Sequence, residues 1–209
     1  MNPWDGKTAS FLRTVTNIII LNFLWVICSM PLFTIGPSTA AMYGVIRKWH
    51  LYKEHSVIRC YMNEYRLFLK QGFVVGTSWF ILGSILVLDV YFFLLIPSNL
   101  KVVFIVIIAL VFILYMFTSS FLIPVLVHYK AKGFSLIKQA FTYSFVDGKT
   151  SFAIILMWIG AVITLYYMPM AVFVIIAPVS MITFRFAMKS FEKMEEIPKI
   201  REQYLTVKK

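Results

Sequence analysis

The chain has 209 residues, of which 60% are hydrophobic and 14% are charged, and its formal net charge is +11. Soluble domains have an apolar share of about 45–50%, so this composition excludes an ordinary soluble domain and indicates that most of the chain is surrounded by lipid. The basic residues interrupt apolar runs instead of forming one basic face, which argues against nucleic-acid binding.

Two apolar segments open the chain. The first covers residues 14–33 and, at about 1.5 Å per residue, can cross a hydrocarbon core about 30 Å thick. After a break at Thr34-Ile35-Gly36-Pro37, a shorter segment covers residues 38–49 and reaches only about 18 Å as a helix. The sequence predicts either a short spanning helix or a re-entrant helix here.

Four longer apolar segments follow, and they are predicted to span the membrane at residues 72–96, 102–128, 152–168 and 170–188. Pro97 and Pro169 mark the turns within these two pairs, as Pro31 and Pro37 mark the turn of the first pair. The predicted fold is therefore an all-α polytopic membrane helix bundle. It has about six spans, arranged as three hairpins with proline-containing outer turns.

The basic residues fall almost entirely on one side of this arrangement. Of the 20 Lys and Arg residues, only Lys101 lies on the side of the proline turns. The positive-inside rule then places both termini in the cytoplasm. If residues 38–49 do not cross, the chain has five spans with a re-entrant second segment, and its N-terminus lies outside with Lys7 and Arg13.

Three segments, residues 50–71, 129–151 and 189–209, are predicted to be the cytoplasmic parts of this single membrane domain. In residues 56–70 and 134–145, apolar side chains recur at helical spacing among charges. This pattern is typical of amphipathic helices at the membrane interface. The tail carries mixed charges and is predicted to be solvated. Cys28 and Cys60 lack disulfide or metal-ligand spacing and are predicted to be free thiols.

The most distinctive stretch is residues 22–43, where an apolar helix stops at a proline and restarts at Gly36-Pro37 with small hydroxyl residues. A helix N-terminus in a membrane presents free N–H groups and a partial positive charge, which receive anionic groups in broken transporter helices. One interpretation is a small polar or anionic site, and the other is a tight turn between closely packed helices. The candidate residues are Asn22, Trp25, Pro31, Thr34, Gly36, Pro37, Ser38 and Thr39.

This stretch resembles the YesL family of bacterial membrane proteins, which is defined by a domain of unknown function. The matching residues are Asn22, Leu24 and Trp25, then Cys-Ser-Met-Pro at 28–31, Thr-Ile-Gly-Pro at 34–37 and Ala-Ala-Met-Tyr at 40–43. The length, the hairpin order and the basic segment with Phe68 and Lys70 also fit. The resemblance implies an accessory protein of the bacterial cytoplasmic membrane, encoded beside carbohydrate ABC importers, with no agreed activity or site residues.

Charged residues outside this stretch give two further hypotheses. Asp89 is the one acidic residue well inside an apolar span, where a charge is costly and marks a functional site by default. It is either a proton or cation relay or a structural hydrogen-bonding group, with Asn22, Ser84 or a tyrosine as partner. Candidate contacts to anionic lipid headgroups are Arg47, Lys48, Arg59, Arg66 and Lys70.

Motifs of enzymes are missing from the sequence. It has no phosphate-binding Gly-rich loop, metalloprotease motif or pair of carboxylates, so we expect no catalysis, cofactor or metal. Three functions stay open: a non-catalytic accessory protein of a carbohydrate ABC importer, a small transporter or channel acting as an oligomer, and a membrane sensor or regulator. The expected partners are the lipid bilayer, ABC permease subunits and further copies of the chain.

Overall fold

The computed structural model describes residues 7–52, 56–95 and 101–207, which form seven α-helices and two short 3₁₀ turns with no strand among them. In chain order the helices are α1 (Lys7–Cys28), α2 (Ile35–Tyr52), α3 (Val57–Leu95), α4 (Lys101–Tyr129), α5 (Gly133–Val146), α6 (Gly148–Tyr167) and α7 (Val172–Val207). The 3₁₀ turns are Leu32–Thr34 and Pro169–Ala171.

Four helical stretches within the described residues are long and apolar enough to cross a membrane. They are Val57–Leu95, Val102–Tyr129, Gly148–Tyr167 and Pro169–Glu195. The apolar part of α1, Leu12–Cys28, is shorter, and α2 is not among the four. The chain is therefore an all-α helical bundle consistent with a multi-pass membrane protein, while the count of six spans stays a prediction.

Helix α2 lies at the centre of the bundle. All of its residues from Ala40 to Ile46 are buried, and it contacts α1, α3, α4 and α7. A helix that is apolar on every side is a core element. The segment that the sequence left ambiguous, residues 38–49, is thus a longer helix than expected and is enclosed by the other helices.

Helix α3 contacts α2 at two places near the start of α2. Gly36 lies against the backbone of Gly72 and Gly76. The hydroxyl groups of Ser38 and Tyr61 are 2.6 Å apart. The amphipathic helix predicted at residues 56–70 forms the N-terminal part of α3, which packs against α2.

The C-terminal part of α3 and the N-terminal part of α4 form an antiparallel pair that the other helices leave largely uncovered. Phe93 stacks on Phe104 with ring centroids 4.8 Å apart. From Thr77 to Leu95 only Leu86 is buried, and from Val102 to Phe117 no residue is. We call these two stretches the α3–α4 hairpin. From Gly76 to Leu95, α3 continues for about 28 Å.

The remaining helices complete the bundle around α2. Helix α5 lies against α4, with Leu136 and Ala140 buried. Helix α7 packs against α1, and Asn22 joins them: its Nδ2 donates to the Val172 carbonyl oxygen (2.8 Å) and its Oδ1 accepts from the Ala177 N–H (2.9 Å). The α1–α2 turn and the α6–α7 turn at Pro169 therefore lie towards the same end of the bundle.

Candidate functional site at the turn between the first two helices

The turn between α1 and α2 is closed by its own hydrogen bonds. The Thr34 hydroxyl lies 2.6 Å from the carbonyl oxygens of both Cys28 and Pro31, and the Thr34 N–H donates to the Pro31 oxygen at 2.8 Å. Pro31 itself is exposed, and Pro37 lies in the first turn of α2, as the sequence predicts. Because Pro37 has no N–H, it costs no hydrogen bond there.

Three polar side chains of the distinctive stretch hold the two helices together. The Trp25 indole N–H donates to the Thr39 hydroxyl at 3.1 Å, and that hydroxyl donates to the Ile35 carbonyl oxygen at 2.7 Å. The Ser38 hydroxyl, which is fully buried, lies 3.2 Å from the Trp25 carbonyl oxygen. With Asn22 bonded to α7, these polar groups act between helices, which favours the structural interpretation of this stretch.

A cavity of about 490 Å³ opens beside this turn, between α2, α3 and α4. We call it the turn cavity, and its size falls in the range of about 300–1,000 Å³ for ligand pockets. Gly36 and Thr39 line it, whereas Ser38 faces Tyr61 instead. The other lining residues are mainly apolar, so the turn cavity suits an apolar group better than the small anionic ligand considered from the sequence.

Trp79, Tyr115 and Ser119, which line the turn cavity, form hydrogen bonds within the protein. The Trp79 indole N–H donates to the Ser119 hydroxyl at 2.7 Å, and the Tyr115 hydroxyl donates to the Trp79 carbonyl oxygen at 3.1 Å. The rings of Trp79 and Tyr115 stack with centroids 5.0 Å apart. Both aromatic residues lie inside predicted spans and not at span ends. That position is the one sequence signal that could have identified them.

A second cavity of about 480 Å³, which we call the side cavity, lies between α2, α4 and α6. It shares Thr39, Ser119 and Ile123 with the turn cavity, so the two are neighbours. Tyr43 and Trp158 also line the side cavity. Nothing in the sequence indicated it, because its walls come from helices that are far apart in the chain.

Asp89 lies away from both cavities. It is partly exposed on the C-terminal part of α3, about 18 Å along the helix from Thr77. Two of the suggested partners form other hydrogen bonds, since the Asn22 side chain binds α7 and the Ser84 hydroxyl donates to the Phe80 carbonyl oxygen. The structure thus does not bring Asp89 to the α1–α2 turn.

The predicted basic cluster divides into three kinds of residue. Lys48 forms an ion pair with Glu64 (2.9 Å), whose carboxylate packs against Gly44, so Lys48 serves the contact between α2 and α3. Arg47 is partly buried. The exposed members of the cluster, all on α3, are Arg59, Arg66 and Lys70.

Other predicted features concern thiols and metals. Cys28 and Cys60 are not joined in a disulfide, as predicted. In the part of the chain that the structure describes, no three His, Cys, Asp or Glu side chains are grouped in a way that could hold a metal ion.

Comparison with known proteins gives one match. Residues 18–90 match the family described as "Protein of unknown function, DUF624". This stretch contains the α1–α2 turn, the glycine contact between α2 and α3, and Asp89. No curated protein matches the chain, and no solved structure matches it either.

Proposed function

We propose that the protein is a YesL-type, non-catalytic accessory protein of the bacterial cytoplasmic membrane that docks onto a larger membrane complex, in the first place the permease of a carbohydrate ABC importer. Its topology in this proposal is multi-pass with both termini in the cytoplasm. The match over residues 18–90 supports the family, and the resemblance described above supplies the class of partner.

The α3–α4 hairpin is the observation that carries a docking role. Its outward side chains are large and apolar, including Leu88 (64% exposed) and Val106 (53% exposed). In lipid, helices associate through shape and close packing because burial from water is not available as a driving force. Two helices that the rest of the bundle leaves largely uncovered offer long grooves for the helices of a partner.

Site-specific photo-crosslinking tests this role. A photoreactive phenylalanine would replace Leu88 or Val106 on the hairpin, or Val162 on α6 as a matched control with 62% exposure. After irradiation of cells at native expression, adducts would be identified by mass spectrometry. We expect permease adducts from the two hairpin positions and none from Val162. Lipid adducts alone at all three positions would contradict the proposal.

A second candidate function is a small transporter or channel that acts as an oligomer. The turn cavity supports it, because a cavity at a broken helix is where transporters place their substrates. In this case the hairpin positions would crosslink to a second copy of the same chain. Asp89→Asn would then lower solute flux or remove its pH dependence, whereas an unchanged flux would eliminate Asp89 as a relay.

A further inference from the structure

The side cavity provides surroundings that suit an alkyl chain. Ile154 at its inner wall is fully buried, whereas Ile159 (49%) and Val162 (62%) are exposed where the cavity opens between α4 and α6. The lining is almost wholly apolar, and its hydroxyl groups, such as that of Ser119, already donate within the protein. The cavity therefore admits an apolar chain from the side of the bundle.

Helices α2 and α4 run in the same direction past this cavity. Thr39 lies with Ser119 and Ile123 in the walls of both cavities. Further along each chain, Arg47 lies within electrostatic reach of His128. Both helices thus proceed together from the cavity towards the end that carries the basic residues.

Helices α2 and α4 each carry a basic, nitrogen-containing side chain about one turn beyond the cavity. Arg47 follows Tyr43 by four residues on α2, and His128 follows Pro124 by four residues on α4. Residues four apart share a helix face and are separated by about 6 Å along its axis. The two side chains therefore stand at the same end of the side cavity.

One nitrogen atom of each side chain has no hydrogen-bond partner among the described residues. Arg47 Nε and His128 Nδ1 are buried, and among the described residues neither has a hydrogen-bond partner. The nearby Glu195 carboxylate accepts a hydrogen bond from the Tyr129 hydroxyl (3.2 Å) instead. Buried polar atoms are paired in the great majority of cases, so an acceptor from outside the chain is expected here, and an anionic oxygen would bind most strongly.

We propose that the side cavity and the Arg47–His128 pair together bind one anionic phospholipid. An acyl chain lies between α4 and α6, and a phosphate oxygen of the headgroup accepts hydrogen bonds from Arg47 Nε and His128 Nδ1 after a shift of these two side chains uncovers the buried atoms. The basic end of the bundle is where the positive-inside rule places the anionic cytoplasmic surface of the bilayer. This site does not depend on the docking role of the α3–α4 hairpin.

Quenching of Trp158, which lines the cavity, measures this binding directly. The full chain would be reconstituted in phosphatidylcholine vesicles and titrated with phosphatidylglycerol or further phosphatidylcholine, each brominated on its acyl chains. The chain has 5 Trp residues, so a parallel titration of Trp158→Phe isolates the signal of this residue. We expect phosphatidylglycerol to quench Trp158 at a lower mole fraction than phosphatidylcholine.

Three variants identify the headgroup contacts. Arg47→Gln is expected to lower the preference for phosphatidylglycerol about fivefold, the factor that one basic residue near a membrane surface contributes. His128→Gln should lower this preference as well, and it provides an independent measurement if Arg47→Gln does not fold. Lys189→Gln, at an exposed position on α7, should leave it unchanged. Equal quenching by the two lipids, or equal effects of Arg47→Gln and Lys189→Gln, would overturn the site.

Discussion

Gly36 controls how closely α2 approaches α3. A methyl group at this position would meet the Gly72 carbonyl oxygen and would lie 2.9 Å from Gly76 Cα. Both are backbone atoms, which cannot rotate away as a side chain can. Small residues at such contacts let helices pack in lipid, where close packing replaces the hydrophobic effect.

We therefore predict opposite effects for the same chemical change at two glycines. Gly36→Ala forces α2 and α3 apart and should lower the free energy of unfolding by about 1–3 kcal/mol. In Gly160→Ala on α6, the added methyl group meets no atom within 4 Å. This variant should raise the free energy of unfolding by up to about 1 kcal/mol, because Ala favours the helix. Thermal unfolding in detergent measures both, and a loss of the same size in both variants would contradict the prediction.

At the scale of elements, Asp147 joins three helices, α5, α6 and α7. It lies between α5 and α6, and its Oδ2 accepts hydrogen bonds from Thr150 (2.8 Å) and from Ser190 on α7 (2.6 Å). Burial alone would raise the pKa of Asp147. The Ser190 and Thr150 hydroxyls and the charge of Lys193 outweigh burial and hold that pKa below its ordinary value.

The lowered pKa predicts an acid-dependent stability. A carboxyl group with a depressed pKa in the folded state stabilises it fully above the pKa of the unfolded chain, and this contribution is lost as pH falls through the folded pKa. Asp147→Asn should therefore lower the unfolding temperature at neutral pH and flatten its decline below about pH 4. Glu192→Gln, at an exposed position on α7, is the control. A decline as steep in Asp147→Asn as in the unmodified chain would rule out this role.

On the scale of the whole molecule, the bundle has two distinct ends. The α1–α2 and α6–α7 turns lie towards one end, because Asn22 and Phe23 contact the first residues of α7. The segment between α4 and α5 follows His128 and carries Lys130 and Lys132. Insertion of the helices with basic segments in the cytoplasm would place Met170 outside and Lys132 inside.

Cysteine labelling in intact cells tests this orientation. A membrane-impermeant maleimide should label Met170→Cys, at a position that is 77% exposed, and should label Lys132→Cys only after the cells are permeabilised. The unmodified chain, with its two native cysteines, gives the background. Ser10→Cys separates the span counts, since six spans protect it from external label and five expose it. Labelling of Lys132→Cys in intact cells would reverse the proposed orientation.

The sequence by itself determined the helical class, the apolar stretches and the turns at Pro31–Pro37 and Pro169. These features follow from local properties of the sequence, because the length of an apolar run and the position of a proline determine the structure of the neighbouring residues. The amphipathic pattern of residues 56–70 was also correctly identified as helical. The pattern did not indicate that this segment and the apolar segment after it form one continuous helix, α3.

Only the tertiary structure decided which helices meet and what lies between them. The bond from Asn22 to Val172, the contact of Gly36 with Gly72, and the side cavity between α4 and α6 all join parts that are distant in sequence. In a chain this apolar, almost every helix face can meet either lipid or protein, so periodicity does not distinguish them. Close fit between particular side chains decides instead, and that fit exists only when the helices are together.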